Sequence, residues 1–157
     1  MQTTHVLERT QEIDRPLADV FSFFADAGNL EALTPAFLKF RILTPTPIQM
    51  RPGALIEYQL SLFGIPLKWR TRIEEWVPGV RFVDVQESGP YALWRHTHTF
   101  ESRGETTIMR DRVEYREPLG PLGRIAHALF VRRTLDAIFD FRHQATQARL
   151  EGTPPAA

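Results

Sequence analysis

Apolar positions change their spacing along the chain, and the changes mark the elements. Val6 to Ile13 reads as a strand with loose alternation. Leu17, Val20, Phe21 and Phe24 then follow the i, i+3, i+4, i+7 stripe of a helix with one buried face. Asp14-Arg15-Pro16 supplies its start, since proline is tolerated in the first turn and an acid favours the positive end. Gly28 breaks the stripe, and Leu30 with Leu33 predicts a short second helix that Pro35 stops. From Phe37 to Glu117 no helical period appears. Phe37–Leu43 reads as a short strand, followed by a proline-rich connection from Pro45 to Pro52. Ile56, Tyr58, Leu60 and Leu62 alternate as a half-buried strand does. Phe63-Gly64-Ile65-Pro66 reverses the chain, and Trp69, Thr71 and Ile73 continue on the next strand. Pro78-Gly79, Ser88-Gly89-Pro90 and Ser102-Arg103-Gly104 separate three more strands, Phe82–Glu87, Leu93–Glu101 and Thr107–Glu117. Gly120 to Leu150 reads as one long helix, with Leu122, Ile125, Ala126 and Leu129 on its first stripe and Leu135, Ile138 and Phe139 on a later one.

Consecutive strands joined by short turns predict an antiparallel meander. The expected fold is α+β: a curved six- to seven-stranded antiparallel sheet, two short helices after the first strand, and a long C-terminal helix over the concave face. One helix cannot fill the concave side of so wide a sheet, so a cavity is expected between them. The expected organisation is one domain over residues 1–151, with 152–157 as a flexible tail.

Composition narrows the class. The chain has 157 residues, enough for one core, with 43% hydrophobic and 24% charged positions. Nineteen basic residues balance nineteen acidic ones, which argues against a nucleic-acid binder. Lys39 and Lys68 are the two lysines, so 17 of the 19 basic residues are arginine, suited to fixed ion pairs. There is no cysteine, which excludes disulfides, thiolate catalysis and Cys-ligated metals. No apolar run approaches the roughly 18 residues that span a bilayer, and Met-Gln-Thr-Thr-His is unlike a signal peptide. The expected location is the cytoplasm.

Candidate chemistry gathers in Gly89–Phe100. Period-two geometry puts Trp94, His96, His98 and Phe100 on one face, and Arg95, Thr97, Thr99 and Glu101 on the other. Turn positions predict the register. Residue numbers summing to 180 place Gln86 opposite Trp94, Asp84 opposite His96 and Phe82 opposite His98. A sum of 207 in the next hairpin places Asp111 opposite His96 and Met109 opposite His98. The outcome is a cross-strand row, Asp84–His96–Asp111, with facing Cβ atoms about 5 Å apart. Flanking carboxylates bias such a histidine toward the imidazolium, while burial opposes them. His98 and Gln86 stand beside the row, and Tyr58, Trp69, Trp94 and Phe100 are the expected aromatic lining.

Three roles are open to this row. It is a satisfied buried network that fixes strand register, or a set of groups that orients the polar end of an apolar ligand. The third role is a His–Asp acid–base pair acting on a carbonyl or hydroxyl. A metal is not expected, because neighbouring inward residues on one strand lie about 7 Å apart, too far to chelate unless their rings converge. His5, His127 and His143 show no ligand spacing. Ile125–Val131 is nearly continuous in its apolar character, which fits burial against the sheet, a pocket gate, a dimer surface or a weak lipid contact. Glu117-Pro-Leu-Gly-Pro-Leu-Gly123 has the composition of a hinge.

Over about residues 3 to 150 the chain resembles the START-like, or SRPBCC, superfamily with the helix-grip fold. Ile13-Asp-Arg-Pro-Leu-Ala-Asp-Val20-Phe21 matches its strand-to-helix start. The chain is most similar to the small bacterial "ligand-binding SRPBCC domain" proteins. The resemblance rests on Asn29-Leu30, Leu33-Thr34-Pro35, Gly64-x-Pro66-x-x-Trp69 and Phe82-x-Asp84-x-Gln86. Gly89-Pro90-Tyr91-x-x-Trp94-x-His96-x-His98-x-Phe100, Asp111 and Tyr115-x-x-Pro118-x-Gly120 complete it. The resemblance implies the fold and an apolar small-molecule ligand, as superfamily members bind lipids, sterols and polyketides and some catalyse cyclisation or dehydration. The metal ligands of the iron-binding oxygenase domains that share the fold have no match here.

The expectation is therefore a ligand-binding protein. Tyr58, Trp69, Tyr91, Trp94 and Phe100 would line its cavity, and Asp84, Gln86, His96, His98 and Asp111 would orient the ligand. No cofactor, nucleic acid or stable membrane insertion is expected, and a homodimer stays open. The alternatives are a cyclase- or dehydratase-type enzyme using His96 with Asp84 or Asp111, and a protein-interaction domain using the apolar start of the last helix.

Overall fold

The structure, a computed structural model, describes residues 2–152. Seven antiparallel strands form one curved sheet: β1 (His5–Ile13), β2 (Arg41–Ile42), β3 (Leu55–Leu62), β4 (Ile65–Val77), β5 (Arg81–Ser88), β6 (Leu93–Arg103) and β7 (Thr106–Arg116). Their order is β1-β7-β6-β5-β4-β3-β2, so only the β1–β7 pairing joins strands distant in sequence. Helix α1 (Leu17–Ala25) follows β1. A helical run after β7 comprises α2 (Gly120–Ala126), one π turn (His127–Val131) and α3 (Arg132–Glu151). The tail expected over 152–157 lies, from residue 153 onward, outside the described residues.

Helix α1 forms where its stripe predicts it. Val20 and Phe24 are buried, with Leu17 and Phe21 packed beside them, and Pro16 stands at the N-cap. The region after it differs from expectation. Two 3-10 turns, Ala27–Leu30 and Ala36–Leu38, replace a single short helix, and the strand expected over Phe37–Leu43 shrinks to Arg41–Ile42. Pro35, taken as a stop, instead caps the second of these turns, and Phe37 faces solvent.

The register of β5 with β6 is the expected one, with Asp84 opposite His96 and Phe82 opposite His98. The β6–β7 register is two residues from expectation: His98 faces Asp111, His96 faces Val113 and Phe100 faces Met109. Arg103 pairs with Thr106, so the loop is Gly104-Glu105, with Gly104 at φ +67°. A two-residue hairpin of this hand wants glycine at its first central position. The expected register would have put Arg103 there. A slip of two preserves the face of every side chain.

The last helix also departs from its pattern. Leu135 and Phe139 are buried against Leu7, Val113 and Tyr115, as the later stripe predicts. Leu122, Ile125 and Leu129, the first stripe, are 69%, 58% and 55% exposed, so that segment is not buried against the sheet. At about 100° per residue, a continuous α-helix already sets the two stripes on different sides, so burying the later one turns the first toward solvent. Phe130 in that turn meets Phe63 of the β3–β4 turn edge to face, centroids 6.0 Å apart.

Candidate functional site

Between the sheet and α3 lies a cavity of about 170 Å³. A single water needs roughly 10–15 Å³ on this measure, so the space suits a molecule of several heavy atoms. Aromatic rings form one wall. Tyr58 stacks on Trp69 at 5.9 Å, Trp69 meets Trp94 edge to face at 5.2 Å, and Tyr91 leans on Trp94 at 4.9 Å. These side chains sit together because Tyr58 is paired with Trp69 across the β3–β4 ladder. The Tyr58 hydroxyl contacts Thr71 Oγ1 at 3.0 Å, and burial pushes its pKa well above the usual phenol value. Leu135, Ile138 and Phe139 of α3 form the opposite wall.

One patch of this lining is polar. His98 Nε2 is 2.7 Å from Asp84 Oδ2, and His96 Nε2 is 2.7 Å from Asp111 Oδ1. The two imidazoles stack with centroids 3.7 Å apart. His96 Nδ1 stands 3.9 Å from Asp84 Oδ2, beyond hydrogen-bond reach, and His98 Nδ1 lies 3.3 Å from Asp111 Oδ1 without the alignment of a hydrogen bond. Instead of a row centred on His96, the geometry is therefore two His–Asp pairs, each side chain serving the neighbouring strand. Both histidines are at least nine-tenths buried.

Electrostatics divides the pair. Burial acts to lower the His98 pKa, but the contacts with Asp111 and Asp84 outweigh it, and the net direction is up. For His96, burial and the adjacent His98 charge prevail over Asp111 and Asp84, and the direction is down. The bias toward imidazolium expected at His96 therefore falls on His98. Burial acts to raise both carboxyls, yet their histidine partners and the Arg142 charge hold Asp84 below its ordinary value and Asp111 well below it. A proton on the histidine pair is thus favoured on His98 over His96, beside two carboxylates and the Arg142 guanidinium. A neutral His96 donates Nε2–H to Asp111 and keeps a lone pair on Nδ1.

Of the residues singled out from the sequence, Tyr58, Trp69, Asp84, Tyr91, Trp94, His96 and His98 line the cavity. Three stand elsewhere. Phe100 packs into the core against Phe21, Phe24 and Phe82. Gln86 clamps the β5–β6 turn: its Nε2 donates to Tyr91 O at 2.7 Å, and its Oε1 accepts from Tyr91 N at 3.0 Å. Both ends of the amide are spent there, so it offers nothing to a ligand. Asp111 lies behind the imidazoles, facing a small void shared with Arg9, Gln11 and Arg142.

Arg142 was not foreseen. It lies in a polar stretch of α3, where one arginine among 17 carries no local mark. It lines the cavity, lies over the Phe24 ring at 5.7 Å, and has a buried Nε without a partner. At the cavity histidines the rings do converge. Ring stacking brings ligand atoms of Asp84, His96 and His98 within 4.8 Å of one another. No helix among the described residues is long and apolar enough to cross a membrane.

Residues 13–140 match the family model described as polyketide cyclase/dehydrase and lipid transport. Solved structures with the same fold include a Streptomyces aromatase/cyclase, at 15% identity over 95% of this chain and 94% of that one (TM-score 0.74). A Panax ginseng major latex-like protein aligns at 10% identity over 94% and 97% of the two chains (TM-score 0.68). Thalictrum flavum norcoclaurine synthase, in complex with dopamine and hydroxybenzaldehyde, aligns at 14% identity over 98% and 90% (TM-score 0.65). At these identities the likeness concerns the fold. No curated protein matches the chain.

Proposed function

Because the chain belongs to the polyketide cyclase/dehydrase and lipid transport family, we propose that it binds one small, largely apolar molecule between sheet and α3. His98, Asp84 and His96 orient that molecule's polar end. The observation that carries this reading is the buried patch of Asp84, His96 and His98 in a mostly apolar and aromatic cavity wall. Apolar contact supplies about 25 cal/mol per Å² removed from water. Buried polar atoms supply selectivity, since a ligand that leaves them unpaired forfeits their desolvation. One such atom, Trp69 Nε1, is buried without a hydrogen bond and suits a carbonyl or hydroxyl oxygen.

Mass spectrometry of the purified protein, native and then after denaturation with organic extraction, tests this directly. The expected result is one small molecule per chain, released on unfolding and rebound with quenching of Trp69 and Trp94 fluorescence. Absence of an extracted molecule, together with unchanged fluorescence across a panel of aromatic polyketides and fatty acids, counts against it.

One observation favours a catalytic variant of the same reading. Asp111 holds His96 Nε2 at 2.7 Å and burial favours the neutral ring, the arrangement of an oriented general base acting through Nδ1. A cyclisation or dehydration needs such a base beside the reacting carbon. Loss of turnover in His96→Gln with ligand affinity retained would establish the enzyme, and loss of affinity alone the binding protein.

A further inference from the structure

A second polar cluster lies away from the cavity's histidines, at the N-terminal end of β1. His5 from the start of β1, Glu117 just beyond β7 and His127 from the first residue of the π turn converge there. The imidazoles of His5 and His127 stack at 3.7 Å. Glu117 spans them: Oε2 is 3.3 Å from His5 Nε2 and Oε1 is 3.7 Å from His127 Nε2. Glu117 is only 7% exposed. Neither Glu117 Oε1 nor His5 Nε2 has a hydrogen-bond partner, although both atoms are buried. A buried carboxylate with an unpaired oxygen is costly unless a cation meets it.

We propose that His5, Glu117 and His127 form a binding site for a zinc-like divalent cation. Two donors about 2.1 Å from a tetrahedral ion are about 3.4 Å apart. The spacings across Glu117 are long for hydrogen bonds and right for donors sharing one ion. Two imidazoles and one carboxylate are a donor set that zinc and neighbouring transition ions accept. The Tyr115 hydroxyl, 2.8 Å from His127 Nε2, is placed to follow that nitrogen as a further oxygen donor.

Local structure holds the carboxylate in position. Leu119 and Gly120 both take left-handed backbone, at φ 70° and 51°, and turn α2 back over Glu117. Gly123 permits the approach: a Cβ there would lie 2.2 Å from Pro118 O and 3.1 Å from Glu117 Cβ. On its outer side the cluster opens to a cleft lined by Gln2, Thr3, Arg116 and Arg124. The imidazole nitrogens select against magnesium and calcium, which take oxygen ligands. The Arg116 and Arg124 guanidiniums suit an anionic exogenous ligand in the ion's open position.

The site shares no lining residue with the cavity, and its test separates them. The full chain is stripped with a chelator, mixed with one equivalent of zinc, passed through gel filtration and assayed for metal. One zinc per chain is expected. His5→Ala and Glu117→Gln are each expected to lower zinc affinity at least about tenfold. His98→Gln keeps it, and magnesium or calcium does not displace the zinc. Cobalt(II) in place of zinc should give the visible absorption of a tetrahedral site. The proposal is overturned if wild type elutes without zinc, if His5→Ala and Glu117→Gln bind as wild type does, or if His98→Gln is the variant that loses the metal. Circular dichroism identifies a variant that fails to fold, and His5→Ala, at the first position of β1, carries the test if Glu117→Gln does so.

Discussion

The two cavity histidines carry opposite perturbations although their rings touch. Unfolded, each titrates near 6.5. In the folded state His98 holds its proton to higher pH, so its contribution to stability is present below 6.5 and is lost as pH rises through its folded value. His96 runs the other way. Its folded pKa is depressed, so stability is full above 6.5 and declines as pH falls below it. Asp84 and Asp111 stabilise the fold above 3.8, and their contribution is lost as pH falls through their lower folded values. Imidazole proton resonances, assigned with His96→Gln and His98→Gln, should therefore titrate on opposite sides of 6.5. Two midpoints on the same side would refute the division. Stacking at 3.7 Å explains it, because two imidazoliums that close repel in a site sealed from water.

At the scale of elements, strands were more legible than helices. The alternation of Trp94, His96, His98 and Phe100 put both histidines on the buried face, and the β5–β6 turn set their opposition to Phe82 and Asp84. The β6–β7 pairing depended on which residue of Arg103-Gly104-Glu105 takes positive φ, and a backbone preference of one residue moves the ladder by two. Asp111 kept its face and changed its partner. The helical run after β7 was harder to read, because two apolar stripes that a continuous α-helix sets on different sides cannot both face the sheet, and Ile125 and Leu129 stand in solvent. His5, Glu117 and His127 belong to three separate elements, so no spacing in the chain could pair them. Gly123 has a definite local role here: Gly123→Ala places a methyl against Pro118 O, where neighbouring backbone must shift. Chemical denaturation should show a loss of about 1–3 kcal/mol, the usual cost of overpacking. An unchanged midpoint would mean that α2 rides more loosely on Glu117.

For the molecule as a whole, the cavity divides the core. One apolar cluster under α1 holds Ile13, Val20, Phe24, Phe82 and Phe100, another under α3 holds Leu7, Val113, Leu135 and Phe139, and a third holds Ala27, Ile56 and Ile73. A molecule seated between them would join the three. Binding only to the folded state stabilises it by about 2.7 kcal/mol at a concentration one hundred times Kd. For a domain of this size that raises the melting temperature by roughly 5–10 °C. Thermal shift against the extracted molecule measures it, and a flat response would show that the molecule was a passenger.

The strand order has a consequence for how the chain is made. Strands β2 to β7 pair with sequence neighbours, whereas β1 waits for β7, roughly a hundred residues behind it. At about 5–20 residues per second, the first strand leaves the ribosome roughly 5–20 s before its partner exists. During that interval Val6-Leu7 and Ile13 have no sheet to join, and the sheet's other members can assemble without them. The strand synthesised first is thus the last to be closed in, and its neighbours on the ribosome determine what it meets meanwhile.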